Sequence, residues 1–323
     1  KANSVWVDIT LPDVSYDGLP LTGISNGVLA EETTDGTKRT FKWRHNHPIV
    51  PYYILVAASN YEKIQGTYTN YGHNFPIEHY VFPDHKADAL VGVSFLPEVF
   101  DTYIKLFGDY PFKDEKFGFT QVNVEAGIEN QTNPVMYALN QAWRASMIHE
   151  LSHMWFGTSI TNQTWQHVWL NEGFATYAEA LYHEDKGSIE TYHSHLNAMS
   201  IRFNKEQTVY LYDDSDYSTI FTEIAYRKGA WVLHMLRGYL GDEVFFNCLK
   251  TYAQSPQFMY KNASTEDFRD HCESTSGVEL DTFFDQWVYD KGYPVYNYSY
   301  SSSPATSTIK LNIIQKQQEL YGL

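Results

Sequence analysis

The chain has 323 residues, 43% of them hydrophobic, which is enough for about two domains with a sizeable buried core. Its 23 lysine and arginine residues, against 39 aspartate and glutamate residues, give a formal net charge of −16. A surface of this sign repels phosphate groups, which argues against nucleic acid or an anionic membrane as a partner.

Other compositional features say less. No stretch reaches the roughly 18 consecutive apolar residues that indicate a membrane-spanning helix. Two cysteines, Cys248 and Cys272, are too few for a disulfide scaffold, and the sequence leaves open whether they pair. The chain begins at Lys1 rather than methionine, which indicates a processed protein or a piece of a longer one. The 26 tyrosines favour an exported protein only weakly, so a cytoplasmic location stays open.

Residues 1–69 have the pattern of β-strands. Runs of β-branched and aromatic residues at 5–9 and 52–56 are separated by Gly, Pro, Asn and Asp, which favour turns. His45 and His47 lie two residues apart and would share one strand face, where a metal could bind. Partly exposed strand histidines without a metal are the commoner arrangement.

The next part of the chain mixes loop, helix and strand. The predicted elements are a loop over 70–85, a helix over 87–107 and strands over 117–124 and 135–139. Between the two strands lies the segment Ala126-Gly127-Ile128-Glu129-Asn130. Glycine has no Cβ atom, so this segment can approach a ligand closely.

The motif His149-Glu150-Leu151-Ser152-His153 lies in a largely apolar segment that predicts a helix over 141–157. Residues four apart on a helix share one face, so His149 and His153 can direct two imidazoles at one point. Zinc accepts such nitrogen ligands together with a carboxylate oxygen, and a catalytic site keeps one position open for water. Glu150, beside the ligands, is then free to act as a base on that water.

A surface helix that carries two histidines and a glutamate is the alternative interpretation. The apolar flanks argue against it, because polar side chains within an apolar helix need partners, and a metal ion is one. A second helix is predicted over 170–184, and Glu172 on it supplies the third ligand. Glu179, two turns further on the same face, either accepts a hydrogen bond from a ligand histidine or is solvated.

The rest of the chain predicts helices followed by strands. The helices are expected over 188–206, 219–240, 243–253, 265–273 and 280–290, and the strands within 295–323. The helix over 219–240 has an apolar, core-packed stripe and contains Tyr226. One tyrosine among 26 means little by itself, and only the adjoining Lys228-Gly229-Ala230 singles it out.

Four sequence motifs follow one another between residues 126 and 230. They are Ala126–Asn130, where one family has Gly-Ala-Met-Glu-Asn; His149–His153; the phrase Thr161–Gly173 around Glu172; and Tyr226–Ala230, where that family has Tyr-x-Lys-Gly-Ala. Together they resemble the zinc aminopeptidases of the aminopeptidase N and leukotriene hydrolase family, which are gluzincins. The resemblance covers about residues 70–290. It implies an α+β fold: a mostly helical, thermolysin-like zinc metallopeptidase domain flanked by β segments.

The resemblance implies a role for each residue of the metal site. One zinc ion would be held by His149, His153 and Glu172. Glu150 would take a proton from the attacking water. Tyr226 would donate a hydrogen bond to the oxyanion that forms on the attacked carbonyl.

The same resemblance places the substrate on the 126–130 segment. Ala126, Gly127, Glu129 and Asn130 would line the cleft, and Glu129 would pair with the free α-amino group of a peptide. A fixed carboxylate at one end of a cleft measures the distance from that amine to the bond that is cut. Ile128 replaces the family's methionine, which reshapes the first side-chain pocket, and Ala126 and Gly127 reverse the family's order.

The resemblance also divides the chain into three parts. Residues 1–69 would be the C-terminal part of a saddle-like β-sheet domain, 70–292 the thermolysin-like catalytic domain, and 293–323 the start of a following β domain. Most of the first domain would lie before Lys1. Because that domain closes one wall of the cleft in the family, its absence would weaken catalysis.

The function these features predict is a zinc-dependent aminopeptidase that hydrolyses the N-terminal bond of peptides by a zinc-activated water. A zinc endopeptidase is one alternative, although Glu129 argues against it because an endopeptidase has no need of a free amine. An epoxide hydrolase is another, but the strand pattern after Pro294 differs from the helices of that branch. A non-catalytic peptide-binding module of the same fold is the third, and the intact set of zinc ligands, base and tyrosine argues against it.

Overall fold

The structure, a computed structural model, describes residues 1–15, 18–200 and 207–316. Within these ranges β-strands dominate the first part of the chain and helices the second, which confirms the predicted α+β class. No helix in the described ranges is long and apolar enough to cross a membrane.

The first part of the chain consists of short antiparallel sheets. Its strands are β1 (Val5–Pro12), β2 (Thr22–Ile24), β3 (Val28–Thr34), β4 (Lys38–His45) and β5 (Ala57–Ser59). One sheet has the order β1-β4-β3, and β2 pairs with β5. Phe41 and Trp43, alternate residues of β4, are buried, as expected for a sheet with one face on a core.

A second, mixed sheet leads to the cleft. Its strands are β6 (Glu62–Tyr68), β7 (Phe75–Val81), β8 (Thr120–Gln121), β9 (Gly127–Ile128) and β10 (Val135–Met136), in the order β6-β7-β8-β10-β9. β9 is therefore an edge strand, and its Gly127 and Ile128 pair with β10 in antiparallel register. The segment singled out in the sequence lies at the edge of this sheet.

The helices form the second part of the chain. They are α1 (Lys86–Gly92), α2 (Leu96–Phe107), α3 (Arg144–Ser152), α4 (Trp169–Lys186), α5 (Ile189–Met199), α6 (Gly229–Leu240), α7 (Asp242–Gln254), α8 (Thr265–Ser276) and α9 (Asp281–Phe284). π-Helical turns cover Ile224–Lys228, directly before α6, and Asp285–Tyr289, directly after α9. Single 3-10 turns cover Pro51–Tyr53, Pro83–His85, Gln141–Trp143, Trp165–His167 and Tyr217–Thr219.

α4 is the central element of the helical part. It contacts α2, α3, α5 and α6, and residues 169–178 of it are all buried. Its own aromatic side chains, such as Trp169 and Phe174, belong to one large core cluster. Because α4 is enclosed on nearly all sides, the polar side chains on its first turns, including Glu172, must find partners inside the protein.

One strand prediction and one loop prediction are wrong. The strand expected over 52–56 is replaced by the 3-10 turn at Pro51–Tyr53, because Pro51 fixes φ at a helical value and suits the first position of a turn. The loop expected over 70–85 contains β7 instead. Its alternate residues are buried, but Pro76, a residue disfavoured in strands, hides the pattern.

Several predicted elements begin or end at other residues in the structure. The helix expected over 87–107 divides into α1 and α2, with Pro97 in the first turn of α2, where its missing N–H is tolerated. The strand expected over 117–124 narrows to β8, because residues 123–125 are exposed and unpaired. α3 covers only part of 141–157, and α6 only part of 219–240. The end of the helix expected over 188–206 lies outside the described residues, and its described part is α5.

Four further strands complete the fold. β11 (Thr161–Asn162) pairs with β12 (Asn262–Ala263), and β13 (Tyr296–Ser303) with β14 (Thr308–Gln315). The β13–β14 hairpin confirms the strands expected within 295–323. The three-part division of the chain stays a prediction. The β6–β7 hairpin, at the same time, joins residues on both sides of the expected boundary at residue 69.

Candidate metal centre and active site

Two helices bring three candidate ligand atoms together. His149 is on α3, His153 directly follows it, and Glu172 is on the first turn of α4. The Nε2 atoms of His149 and His153 each lie 3.3 Å from Oε2 of Glu172. The i, i+4 spacing read from the sequence therefore places both imidazoles on one point, with the carboxylate facing them.

The other ring nitrogen of each histidine has its own acceptor. Nδ1 of His149 lies 2.8 Å from Oε1 of Glu179, and Nδ1 of His153 lies 2.9 Å from the carbonyl oxygen of Phe156. A proton on each Nδ1 satisfies these bonds and leaves the Nε2 lone pairs free. Acceptors of this kind orient histidines that bind metals. Of the two alternatives for Glu179, the structure shows the hydrogen bond.

These distances fit a zinc ion. A tetrahedral site with ligand distances of about 2.0–2.1 Å places its ligand atoms about 3.3–3.4 Å apart, which matches the observed 3.3 Å spacings. Two nitrogens and one oxygen are also a ligand set that zinc accepts. The residues present are therefore compatible with zinc.

A second group of possible ligands shares one histidine with the first. Glu129, Glu150 and His153 also offer atoms that lie within 4.8 Å of one another. Nε2 of His153 cannot bind two ions at once, so the two groups are alternatives for one ion. The group with both Nδ1 atoms held by acceptors is the better prepared of the two.

The three candidate ligands strongly shift one another's pKa values. Burial alone would raise the pKa of Glu172, but the neighbouring His153 and His149 hold it down to about 2. Burial likewise opposes a charge on His153, yet Glu172 and Glu129 outweigh burial and raise its pKa to about 9. The carboxylate of Glu172 and the two histidine rings therefore stabilise one another electrostatically.

Glu150 lies beside the three candidate ligands, and one of its carboxylate oxygens is unused. It is buried, and its Oε2 atom has no hydrogen-bond partner within the described residues. Burial raises its pKa to about 7, although the two histidines act in the opposite direction. A buried carboxylate with an unused oxygen is suited to accept a proton from a molecule that enters the cleft.

Gly127 packs directly against Glu150. A Cβ atom added to Gly127 would lie 2.4 Å from Oε1 of Glu150, closer than side chains tolerate. The edge strand β9 therefore approaches the candidate base as closely as it does because position 127 is glycine. This contact gives a physical reason for glycine at the second place of the Ala126-Gly127 pair.

Tyr226 lies on the π-helical turn that precedes α6. Its ring stacks on the ring of His149, with 6.0 Å between centroids and 18° between planes. Burial and then the charge of Glu172 raise the pKa of Tyr226 well above its usual range, so the phenol keeps its proton. A π turn adds a residue to the helical turn and redirects side chains, and such turns are frequent at functional sites.

Two glycines set the distance between α4 and this turn. A Cβ atom on Gly173 would lie 2.9 Å from the Cα atom of Gly229, and one on Gly229 would lie 3.0 Å from the Cα atom of Gly173. The two backbones touch where each carries a functional residue: Glu172 precedes Gly173, and Tyr226 is three residues before Gly229.

A cleft of about 550 Å³ opens onto these groups. The residues predicted for the site that line it are Gly127, Glu129, His149, Glu150, His153, Glu172 and Tyr226. Ala126 and Asn130 are not among the described residues that line it. Asn130 is buried instead, with its side-chain amide donating to the carbonyl oxygen of Tyr53 at 3.3 Å.

The sequence did not indicate several other residues of the cleft. They include Ser146, Thr176, His195, Met199, Phe221 and Arg227. Ser146 and Thr176 share helix faces with His149 and Glu172, so helical spacing would have found these two. His195 and Met199 come from α5, and no motif connects α5 to the metal helices.

α3 and α4, the helices that carry candidate ligands, belong to a region that matches a known family. Residues 121–287, just over half of the 323 residues, match the family described as the Peptidase family M1 domain. The chain therefore belongs to Peptidase family M1, and the family recognised from its motifs is confirmed.

Individual relatives agree with this assignment. Aminopeptidase M1-C of Oryza sativa subsp. japonica is 27% identical over 297 residues, which are 85% of this chain and 33% of that protein. Aminopeptidase N of Streptomyces lividans is 29% identical over 274 residues, 76% of this chain and 32% of that protein. The chain thus spans about a third of the length of these curated relatives.

The fold has a close counterpart among solved structures. Legionella pneumophila aminopeptidase A in complex with aspartic acid superposes with a TM-score of 0.82 at 20% sequence identity, over 98% of this chain and 38% of that chain. At this identity the likeness shows the fold, and it confirms that the predicted fold class is correct.

Proposed function

We propose that this chain carries the active site of a zinc-dependent aminopeptidase that removes N-terminal residues from peptides. The observation that carries the proposal is the triangle of His149, His153 and Glu172 beside a half-buried Glu129 in one cleft. Metal ligands and an amine-binding carboxylate in the same cleft are what hydrolysis of the first peptide bond requires. Membership of Peptidase family M1 and relatives named aminopeptidases support it.

His149, His153 and Glu172 would hold a single zinc ion. The two Nδ1–H groups and their acceptors keep both Nε2 lone pairs directed at the site, and the ionised Glu172 supplies the third donor. When bound there, zinc supplies Lewis acidity, which lowers the pKa of water from about 15.7 to about 7. One ion is proposed in the cleft because the other possible group of ligands there shares His153.

Glu150 would act as the general base and then as the general acid. Its free Oε2 atom accepts a proton from the attacking water and then donates that proton to the nitrogen of the leaving peptide. A pKa near 7 allows both steps at neutral pH. Because position 127 is glycine, the backbone of β9 can lie close to Oε1 of Glu150 without a clash.

Tyr226 would stabilise the oxyanion on the attacked carbonyl. Its phenol is protonated, and the stacking of its ring on His149 fixes its position next to the metal ligands. A hydrogen-bond donor that is in place before the reaction costs no reorganisation when the charge develops. One such donor typically lowers the activation barrier by about 2.7–4 kcal/mol.

Glu129 would bind the α-ammonium group of the substrate. It follows the edge strand β9, which lies against the base, so an amine bound there places the first peptide bond close to Glu150. The carboxylates of Glu129 and Glu150 both face a substrate of opposite charge. Peptides with a free N-terminus are therefore the proposed substrates.

Peptide cleavage by the purified chain tests this function. We expect free N-termini to be trimmed one residue at a time, acetylated peptides to be spared, and chelation to stop the reaction until zinc is restored. Internal cleavage of acetylated peptides would identify an endopeptidase. Zinc binding without any cleavage would indicate either that catalysis needs the rest of the saddle-like β domain or that the chain is a peptide-binding module.

A further inference from the structure

Tyr53 connects the amino-terminal strands with the cleft. It is 2% exposed and lies in the 3-10 turn that replaces the expected strand. Its hydroxyl lies 2.7 Å from Oε1 of Glu129 and 3.3 Å from Nδ2 of Asn171, the residue before Glu172. One hydroxyl therefore joins the carboxylate at the amine end of the cleft to the helix that carries the third metal ligand.

The direction of these hydrogen bonds follows from the network. Oδ1 of Asn171 accepts from the backbone N–H of Asn162 at 3.0 Å, which fixes the amide so that Nδ2 faces Tyr53. An amide nitrogen can only donate, so the hydroxyl of Tyr53 is the acceptor of that bond. Its single proton is then left for Glu129. Burial and the charge of Glu129 raise the pKa of Tyr53 well above its usual range, so that proton stays in place.

The backbone of Tyr53 is itself held by hydrogen bonds. Its carbonyl oxygen accepts hydrogen bonds from the side-chain amides of Asn26, at 3.0 Å, and Asn130, at 3.3 Å. Asn130 belongs to the same short segment as Glu129, so the segment is bonded to Tyr53 at two points. This gives Asn130 a place in the site without a contact to substrate.

We propose that Tyr53 is a positioning residue for the amine end of the cleft: its hydroxyl fixes Oε1 of Glu129 and leaves Oε2 for the α-ammonium group of the substrate. The proposal rests on the proposed function, because it takes Glu129 as the group that binds the amine. A glutamate in a short, half-exposed segment has several rotamers, and binding a substrate would otherwise have to order it. A charge-assisted hydrogen bond made beforehand removes that cost and sets the distance from the amine to the metal ligands.

Tyr53→Phe removes the hydroxyl and leaves the ring. Tyr68→Phe is a matched control, because Tyr68 is also 2% exposed and its hydroxyl donates to a carboxylate, Oδ1 of Asp101, at the same 2.7 Å. Tyr68 lies in β6, away from the cleft lining. Any general effect of a lost buried hydroxyl on folding therefore appears in both variants.

The test measures the affinity of the zinc-loaded, 323-residue chain for leucinol and for 4-methylpentan-1-ol, which is the same molecule without the α-amine, by calorimetry. Neither molecule has an amide bond that the chain could hydrolyse. We expect the wild-type chain to bind leucinol more tightly. In Tyr53→Phe the ratio of the two affinities should fall at least about tenfold, because a hydrogen bond to a charged group typically contributes at least that factor. The affinity for 4-methylpentan-1-ol and the zinc content should not change, and Tyr68→Phe should leave the ratio as it is.

A double variant separates positioning from a loss of structure. In a Glu129→Gln background, Tyr53→Phe should change the affinity ratio no further, since the group it positions has lost its charge. An unchanged ratio in Tyr53→Phe, or equal weakening of both ligands, would overturn the role of Tyr53 while the aminopeptidase function stands. A wild-type chain that does not distinguish the two ligands would contradict the proposed function itself, and the role of Tyr53 with it.

Discussion

The two ends of the cleft are built in different ways. At the metal end, α3 and α4 supply the ligands, and the side chains of His153 and Glu172 are 1% and 4% exposed. At the amine end, Glu129 follows a two-residue edge strand whose Ile128 is 44% exposed. The candidate ligands at the metal end are buried and have several hydrogen-bonding partners. Within the described chain, the carboxylate of Glu129 has one hydrogen-bond donor, the hydroxyl of Tyr53.

This difference separates local from distant determinants. The geometry of His149 and His153 follows from the period of one helix. The geometry of Glu129 depends on Tyr53, which is 76 residues away along the chain. We therefore expect substitutions at the metal end to affect the chemical step or the metal, and substitutions at the amine end to affect recognition of the substrate.

The largest effect is expected from Glu150→Gln, which removes the proton acceptor and keeps the shape of the side chain. The rate constant kcat should fall by about 10²–10⁴-fold, the usual contribution of a general base. Zinc content, measured by atomic absorption, should equal that of the wild type. Glu190→Gln, on the exposed start of α5, serves as the control. Activity close to the wild-type value with zinc bound would exclude Glu150 as the base.

Tyr226→Phe should have the next largest effect. Loss of one oxyanion donor is expected to lower kcat by about 10²–10³-fold with little change in KM, since the bond forms only in the transition state. Steady-state kinetics on a free-amine peptide check this. A higher KM at unchanged kcat would mean that Tyr226 binds the substrate in its ground state, and the contrast between the two ends would then be weaker than we propose.

Glu179→Gln tests how far the metal end depends on a residue that does not itself bind the ion. Its Oε1 atom accepts from Nδ1 of His149 at 2.8 Å. Glutamine keeps an oxygen at this place but removes the negative charge, and substitution of such a partner typically weakens metal affinity about 10–100-fold. Competition with a chromogenic chelator measures the zinc affinity. The preference for free over acetylated peptides should stay the same in zinc-saturated protein. A loss of that preference would show that the two ends are not independent.

The smallest effect is expected in the sheet that carries the amine end. Nδ1 of His79, in β7, accepts from the backbone N–H of Phe119 at 3.0 Å. Burial, and then the charge of Lys116, lower the pKa of His79 to about 3 from 6.5. The folded protein holds the ring neutral, so the stability this provides is complete above pH 6.5 and is lost as the pH falls from 6.5 toward about 3.

His79→Asn keeps an acceptor for Phe119 but cannot be protonated. The free energy of unfolding should therefore fall less between about pH 7 and about pH 4.5 than in the wild type, by on the order of 1–3 kcal/mol. Urea denaturation at both pH values measures this difference. An identical pH dependence of unfolding in both proteins would mean that His79 takes up its proton at the same pH in the folded state as in the unfolded state.

The metal end of the cleft could be predicted from the sequence better than the amine end, because its determinants are local. The positions of His149, His153 and Glu172 could be predicted because helical period and ligand chemistry are local. The role of Tyr53 could not, since Pro51 turns the expected strand into a 3-10 turn and its partners are distant in sequence. The π turn at Tyr226 was equally hidden, because an added residue in a helical turn leaves no compositional mark. α4, which has 18 residues, was found with its ends misplaced by one or two residues, whereas α3 has only nine residues and covers part of the range expected for it.

The contact between Gly173 and Gly229 has a consequence for comparing related sequences. A relative could keep every ligand, the base and the tyrosine, yet carry alanine at either position. The added methyl group would force α4 and the turn that bears Tyr226 apart, which changes the position of Tyr226 relative to Glu172. Two hydrogen atoms, rather than any functional group, therefore decide whether a sequence that keeps these functional side chains also keeps the spacing between them.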